Sequence, residues 1–231
     1  MKKILLVVLV AFATSSAFAS PYLALRGNLG NMSSDVNQWQ FAPSATQPGV
    51  GEFSVIADRT DNDTAAGFQI AIGSTLGENL RAEVEYAYYG STKVNGNFDY
   101  HINSYTIPTQ YQLKTNIQTL GINLYYDFHN QTKFTPYVGT GIGISAIYEQ
   151  GKVKNQVTTM TANDYYYALN WNLTAGAGYQ LKENLLLDLG VRYALLGNKE
   201  ETLYEGNSNY NSAVSRGFQS FQAFLGLRYS F

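Results

Sequence analysis

Hydrophobic and polar residues alternate with period two in eight stretches of this chain, as in strands whose two faces meet different surroundings. The last stretch is the clearest. Counting back from Phe231, the residues Tyr229, Leu227, Leu225, Ala223 and Phe221 share one face, and Ser230, Arg228, Gly226, Gln222 and Ser220 share the other. The first, Tyr22 to Gly30, sets Leu23, Leu25 and Leu29 against Ala24, Arg26 and Asn28. Ala65 to Leu76 follows, and then a third strand with Leu80, Ala82, Val84, Tyr86 and Tyr88 opposite Arg81, Glu83, Glu85 and Ala87. The fourth, about Leu113 to Phe128, turns Leu120, Ile122, Leu124, Tyr126 and Phe128 one way and Asp127 the other. The fifth begins near Phe134, the sixth runs from Tyr167 to Leu181, and the seventh from Leu185 to Leu195 carries Asp188 and Arg192 on its polar face.

The connections sort as regularly as the strands. Gly77-Glu78-Asn79, His129 to Lys133 and Lys182-Glu183-Asn184 are short, while stretches of about 31–64, 91–112, 149–166 and 196–216 are long and polar. Short turns at one end and long loops at the other predict an all-β fold, an eight-stranded antiparallel transmembrane β-barrel with both termini on the periplasmic side. A soluble lipocalin-like barrel is the alternative for the same strand count. Strand direction supplies a second indication. Tyr86, Tyr88, Tyr148, Tyr167, Tyr193 and Phe221 fall at the loop ends, and Tyr126, Phe128, Phe134, Tyr179, Tyr229 and Phe231 at the turn ends. Two aromatic bands suit the two interfaces of a bilayer.

Composition sharpens this picture. The chain has 19 Tyr, 12 Phe and 2 Trp but is only 14% charged, and it contains no cysteine with which to staple an exported fold. Met1-Lys2-Lys3, the apolar run from Ile4 to Ala13 and Ala17-Phe18-Ala19 read as a secretory signal peptide, residues 1–19, removed to leave a single domain of residues 20–231. Losing Lys2 and Lys3 takes the net charge from -2 to -4, and no basic run exists, which argues against nucleic acid as a partner.

Phasing turns Arg26, Arg81, Glu83, Glu85, Asp127, Asp188, Arg192 and Arg228 inward, four of each sign. A bore of eight strands is just wide enough for side chains to fill, so these charges are expected to pair as a structural plug, the other reading being a polar path for ions. Gly139, Gly141, Gly143, Gly176, Gly178, Gly190 and Gly226 also face inward and are expected to make room for the long Arg and Glu side chains. No catalytic site is expected, because His101 and His129 fall at opposite ends of the barrel. No metal or cofactor is expected either, since Asp58, Asp61 and Asp63 lack the Gly and distal Glu of a calcium loop. That leaves the loop aromatics Trp39, Phe41, Phe98, Tyr100, Tyr105, Tyr165 and Tyr166 as candidate binding residues, amid Asn, Ser and Gly. Their alternative role is to pack loops together or extend the upper girdle.

The terminal strand, ending in Phe231, resembles the C-terminal assembly signal of bacterial outer-membrane barrels. With Pro136-Tyr137-Val138-Gly139-Thr140-Gly141-Ile142-Gly143 and the signal peptide, it makes the chain similar to the opacity-type and surface-antigen families of small outer-membrane barrels. The layout also resembles the N-terminal transmembrane barrel of OmpA. The resemblance implies a Gram-negative outer membrane, contact with its lipid and with the assembly machinery, and surface loops that touch host cells or matrix. Adhesion or host interaction is therefore the expected function. A narrow porin-like channel for ions or small solutes is the alternative.

Overall fold

Residues 20–37, 39–40, 54–55, 59–102, 105–154, 159–204 and 211–231 are described by a computed structural model. The stretch read as a signal peptide lies outside them. The strands are β1 (Pro21–Asn37), β2 (Trp39–Gln40), β3 (Ser54–Val55), β4 (Arg59–Thr75), β5 (Leu80–Ile102), β6 (Tyr105–Asp127), β7 (Phe134–Lys154), β8 (Thr159–Lys182), β9 (Leu185–Tyr204) and β10 (Asn211–Ser230). Eight of these close into an antiparallel barrel in the order β1-β10-β9-β8-β7-β6-β5-β4, and β2 and β3 form a small sheet of their own. Closure joins the chain ends: β1 pairs with β10 from Tyr22↔Ser230 upward, and the Phe231 N–H donates to the Pro21 carbonyl at 3.0 Å. An edge-free ladder is what lipid demands, because the hydrocarbon offers no water to an unpaired backbone group.

The three short connections lie at the end that holds both termini. At the first, the Leu76 N–H donates to the Leu80 carbonyl at 2.7 Å and Gly77 takes a φ of 98, the left-handed conformation that glycine adopts without a Cβ clash. At the second, the Asn130 side chain accepts from the Thr132 N–H at 2.8 Å and donates to the Phe134 carbonyl at 2.9 Å, holding the turn locally.

Alternation translates directly into the two faces. Leu25, Ile122, Ile142, Leu173 and Leu225 stand exposed on the outer wall, whereas Arg26, Asn123, Asn172 and Gly141 are buried inside. Tyr126 meets Phe128 and Tyr229 meets Phe231 as edge-on pairs in the lower aromatic band, with ring centroids 5.0 and 5.5 Å apart.

Strand continues through much of what the sequence pattern assigned to loops. β5 reaches Ile102 and β6 resumes at Tyr105, within the expected loop at 91–112, and β7 and β8 extend to Lys154 and Thr159 within 149–166. β1 likewise runs to Asn37 and β9 to Tyr204. In sequence the β5 and β6 extensions still alternate, Phe98, Tyr100 and Ile102 with Asn97, Asp99 and His101, and Tyr105, Ile107 and Tyr111 with Thr106, Pro108 and Gln110, and their backbones pair. A bilayer core needs only about 9–11 residues per tilted strand, and β8 has 24. The surplus stands outside the membrane.

Pairing changes there. β4 and β5 are laddered only from Thr75↔Arg81 up to Phe68↔Tyr88, and β8 and β9 only up to Trp171↔Leu195. The other ladders go on, β5 with β6 to Ile102↔Tyr105 and β9 with β10 to Tyr204↔Asn211. Above the membrane the cylinder therefore splits into two four-stranded sheets, β5-β6-β7-β8 and β9-β10-β1-β4, with a seam on each side. Bulges mark where this begins, between Tyr88 and Ser91 on β5 and between Phe218 and Gln219 opposite β9. Gly90 and Gly197 sit at them with φ of 89 and 119, so each bulge uses a glycine to turn the strand.

Candidate functional site

All eight predicted lumen charges are inside and buried. Arg26, on β1, donates from Nη2 and Nη1 to the two Glu83 carboxylate oxygens at 2.7 and 3.0 Å, and from Nε to Asp188 Oδ2 at 2.8 Å. Its Nη1 also reaches Glu85 Oε2 at 3.4 Å. Arg81 holds both Asp127 oxygens through Nε, at 2.9 and 3.1 Å, and Glu83 Oε1 through Nη1 at 2.8 Å. Arg192 grips Glu85 with both terminal nitrogens, the Nη2 bond being 3.0 Å. Three arginines thus pair with four carboxylates, and the buried Arg228 brings the eight charges to zero, which makes burial of so much charge tolerable. Arg228 differs. Among the described residues no carboxylate lies within ion-pair distance of it, and its guanidinium sits 5.4 Å from the centre of the Tyr22 ring.

Aromatic side chains hold this network in place, and their roles escaped the sequence reading. Arg81 lies between Tyr125 and Tyr137, with ring centres 4.0 and 4.4 Å from its Cζ, and the two rings meet edge-on. The hydroxyls of Tyr22 and Tyr137 donate to Glu83 at 3.0 Å and Asp188 at 2.6 Å. Three of the seven inward glycines seat aromatic rings, and not the Arg and Glu chains expected, while Gly143 lies against the backbone of Leu120 and Gly121. A Cβ on Gly139 would stand 2.2 Å from Tyr125, one on Gly176 2.6 Å from Tyr137, and one on Gly190 2.6 Å from Phe224. Gly178, against the Arg228 guanidinium, and Gly226, against the Arg26 stem, do serve arginines. Gly141 makes room for the Asn123 carboxamide, which accepts from Asn172 at 3.0 Å.

Toward the outside the ionic core gives way to an apolar plug. Met32, Ala87, Tyr89, Ile117, Ile147, Ala194, Leu196 and Phe218 pack together inside the barrel at the level of the bulges, with Tyr166 and Ala168 against them. Between plug and network, Asn28, Gln69 and Gln222 bury amides that bond no described protein group. Tyr166, predicted as a surface binding residue, is thereby half-buried against the plug.

The other loop candidates are placed by their backbones. Trp39 lies in β2 opposite Val55, Phe98 and Tyr100 in β5 opposite Thr109 and Ile107, and Tyr105 begins β6 opposite Ile102. Their side chains, and Phe41 altogether, lie outside the described residues. Tyr165 is described and exposed: it stands on β8 opposite Tyr148 of β7, and its ring meets that of Tyr167 edge-on at 5.1 Å. Tyr165 and Tyr167 expose 49% and 62% of their surface, so lipid headgroups, water or a partner, not the plug, cover them. Farther up β7, Lys152 and Lys154 are exposed, opposite Thr161 and Thr159. His129 lies in a turn beside Asn79, and no cluster among the described residues has the His, Cys, Asp or Glu content to hold a metal ion.

A closed eight-stranded barrel, apolar outside and charged within, banded by aromatics, is a membrane-spanning β-barrel of the outer membrane. The chain belongs to the family described as the outer membrane protein beta-barrel domain, whose sequence model matches residues 4–229. It is 26% identical to the outer membrane protein PagN of Salmonella typhimurium, the match covering 79% of each chain. It is 30% identical to the protein opa of Haemophilus influenzae over 56% of this chain and 94% of that one. The opacity protein opA50 of Neisseria gonorrhoeae is 23% identical, over 82% of this chain and 89% of its own length.

Proposed function

We propose that this outer-membrane protein acts at the cell surface as an adhesin, its outer sheets engaging host-cell or matrix molecules while the lumen is structural. The observation that carries the reading is the contrast between a filled interior and a displayed exterior. Arg81, Glu83, Asp188, Ile117, Ile147 and Leu196 are wholly buried, whereas Tyr167, in the upper aromatic band, and Tyr165, one step beyond it, stand out from β8. Paired tyrosines beside Gln150, Lys152 and Asn163 give the mixture of rigid aromatic and adaptable polar contacts that protein-binding surfaces use. Similarity to opacity proteins along most of the chain supports the same reading.

The test is binding of the refolded, liposome-inserted protein to epithelial cells and immobilised matrix proteins, before and after a protease trims the outer sheets. Saturable binding that trimming abolishes, with the barrel still folded, is expected. A folded barrel that binds neither would overturn the proposal.

A further inference from the structure

The outer face of the sheet β5-β6-β7-β8 gathers four lysines. Thr92 and Thr115 oppose each other across β5 and β6 and are buried, so the next pair, Lys93↔Lys114, points out of the barrel. The ladder carries this face on to β7, where Gln150 stands opposite Lys114, Lys152 opposite Gln112 and Lys154 opposite Gln110. Lys93, Lys152 and Lys154 are exposed and Lys114 is half-buried. Acidic residues of the neighbourhood lie elsewhere: Glu149 opposes Asp164 on the inner face of β7 and β8, and Asp63 of β4 accepts the Lys93 backbone N–H at 3.0 Å. Among the described residues no carboxylate lies within ion-pair distance of the four ammonium groups.

Residues directly opposite on a ladder hold their Cβ atoms about 4.5–5.5 Å apart, and like charges placed so repel each other. Lys93 and Lys114 are such a pair, and Lys152 is the diagonal neighbour of Lys114, about 7–8 Å away. An anion held between the ammonium groups relieves that repulsion. Beside them, Gln150 and Gln112, which donates to the Asn95 carboxamide at 3.0 Å, bring amides to further oxygen atoms of the anion. On the other sheet, the hollow beside Tyr193 and Phe221 is lined by Asn31, Ser33, Asn62 and Thr64, with no lysine or arginine among its lining residues.

Depth selects the anion. Asn116, one step below Lys114 on the same face, stands opposite Tyr148 of the upper aromatic band, so Lys114 lies about 7 Å along the strand from that band. Strands of such barrels tilt by about 40°, which makes this roughly 5 Å of height, within the polar layer of about 5–8 Å on each side of the hydrocarbon. Lys93 shares the row, and both side chains leave the wall sideways, into the headgroups and not up into the medium. Lys152 and Lys154 stand one and two steps farther out. We propose that Lys93 and Lys114 form a binding site for a phosphate group on the headgroup of an outer-leaflet lipid, flanked on its outer side by Lys152. Lysine binds phosphate as a point charge, and its flexible stem lies along the wall while the ammonium seeks the polar layer. The site seats the barrel in its own membrane and does not depend on the adhesin reading.

The experiment is an NMR titration of the full chain refolded in phosphatidylcholine nanodiscs, with bisphosphorylated lipid A added in steps and its dephosphorylated form as the control. Saturable shifts of the Lys93, Lys114 and Gln150 amides are expected with the phosphorylated lipid and none with the control. Lys93→Gln with Lys114→Gln is expected to weaken binding roughly tenfold, Lys93→Arg with Lys114→Arg to retain it, and Lys152→Gln with Lys154→Gln to weaken it less than about threefold. Urea unfolding supplies a second reading. In pure phosphatidylcholine vesicles the Lys93→Gln, Lys114→Gln variant is expected to unfold at higher urea than the unaltered chain, because repulsion is relieved, and in vesicles holding lipid A at lower urea, because bound lipid stabilises only the unaltered chain. Equal shifts with the dephosphorylated lipid, equal losses from the inner and outer lysine pairs, or an unfolding difference of the same sign in both vesicles would overturn the proposal. If heparin, a soluble sulfated polysaccharide, shifts the same amides in discs without lipid A while lipid A does not, the patch serves a soluble polyanion and the lipid site fails.

Discussion

Below Gly90 and Gly197 every barrel strand is paired on both sides and the interior is a cross-braced set of ion pairs; above them two ladders stop and the cylinder becomes two sheets. One sequence meets two solvents. Within lipid an unpaired backbone group costs several kcal/mol, so closure is obligatory and the polar residues that close it must be inside. Above the bilayer water satisfies such groups and closure is optional. The lower half is thus specified by buried chemistry and the upper half by what it displays.

Substitutions that break the lower half are expected to have the largest effects. Glu83→Ala strips Arg26 and Arg81 of a shared partner and leaves both cations buried, which costs about 3–5 kcal/mol in urea unfolding from lipid vesicles, enough to prevent insertion of a marginal barrel. Gly176→Leu pushes against the Tyr137 ring that anchors Asp188 and is expected to cost about 1–3 kcal/mol in the same assay. At the boundary, Gly90→Ala places a Cβ on a left-handed residue, at about 1–2 kcal/mol, and its unfolding midpoint is expected to fall less than that of Gly176→Leu. In the upper half, Tyr165→Ala with Tyr167→Ala is expected to leave unfolding within about 0.5 kcal/mol per site while removing most cell binding. A double variant that binds normally would move recognition elsewhere on the outer sheets.

The legibility of the sequence follows the same division. Period-two alternation identifies Leu23 to Leu29, Leu80 to Tyr88 and Phe221 to Phe231 as bilayer strands, because lipid on one face and a polar bore on the other write opposite chemistry into neighbouring positions. It also places all eight lumen charges. Tyr125, Tyr137 and Phe224 share the parity of Asp127, Gly139 and Arg228, so their inward direction was readable, but an aromatic residue in a banded barrel draws attention to the girdles instead. The plug residues Tyr89 and Leu196 keep the inward phase of β5 and β9 up to the bulges, where the alternation breaks. The outer sheets are legible only in part: Phe98, Tyr100 and Ile102 alternate with Asn97, Asp99 and His101, but the Asn, Gly, Ser and Pro among and around them read as loop, and the pairing in space marks them as strand.

The central claim is that the bore is a brace and the work is done outside, and conductance across a planar bilayer holding the refolded chain tests it most directly. A filled lumen sealed by Ile117, Ile147, Leu196 and Phe218 predicts a quiet bilayer, unaltered by the gentle change Glu85→Gln. Steady conductance steps whose size shifts with Glu85→Gln or Arg192→Lys would contradict it and make the inward charges a path for ions.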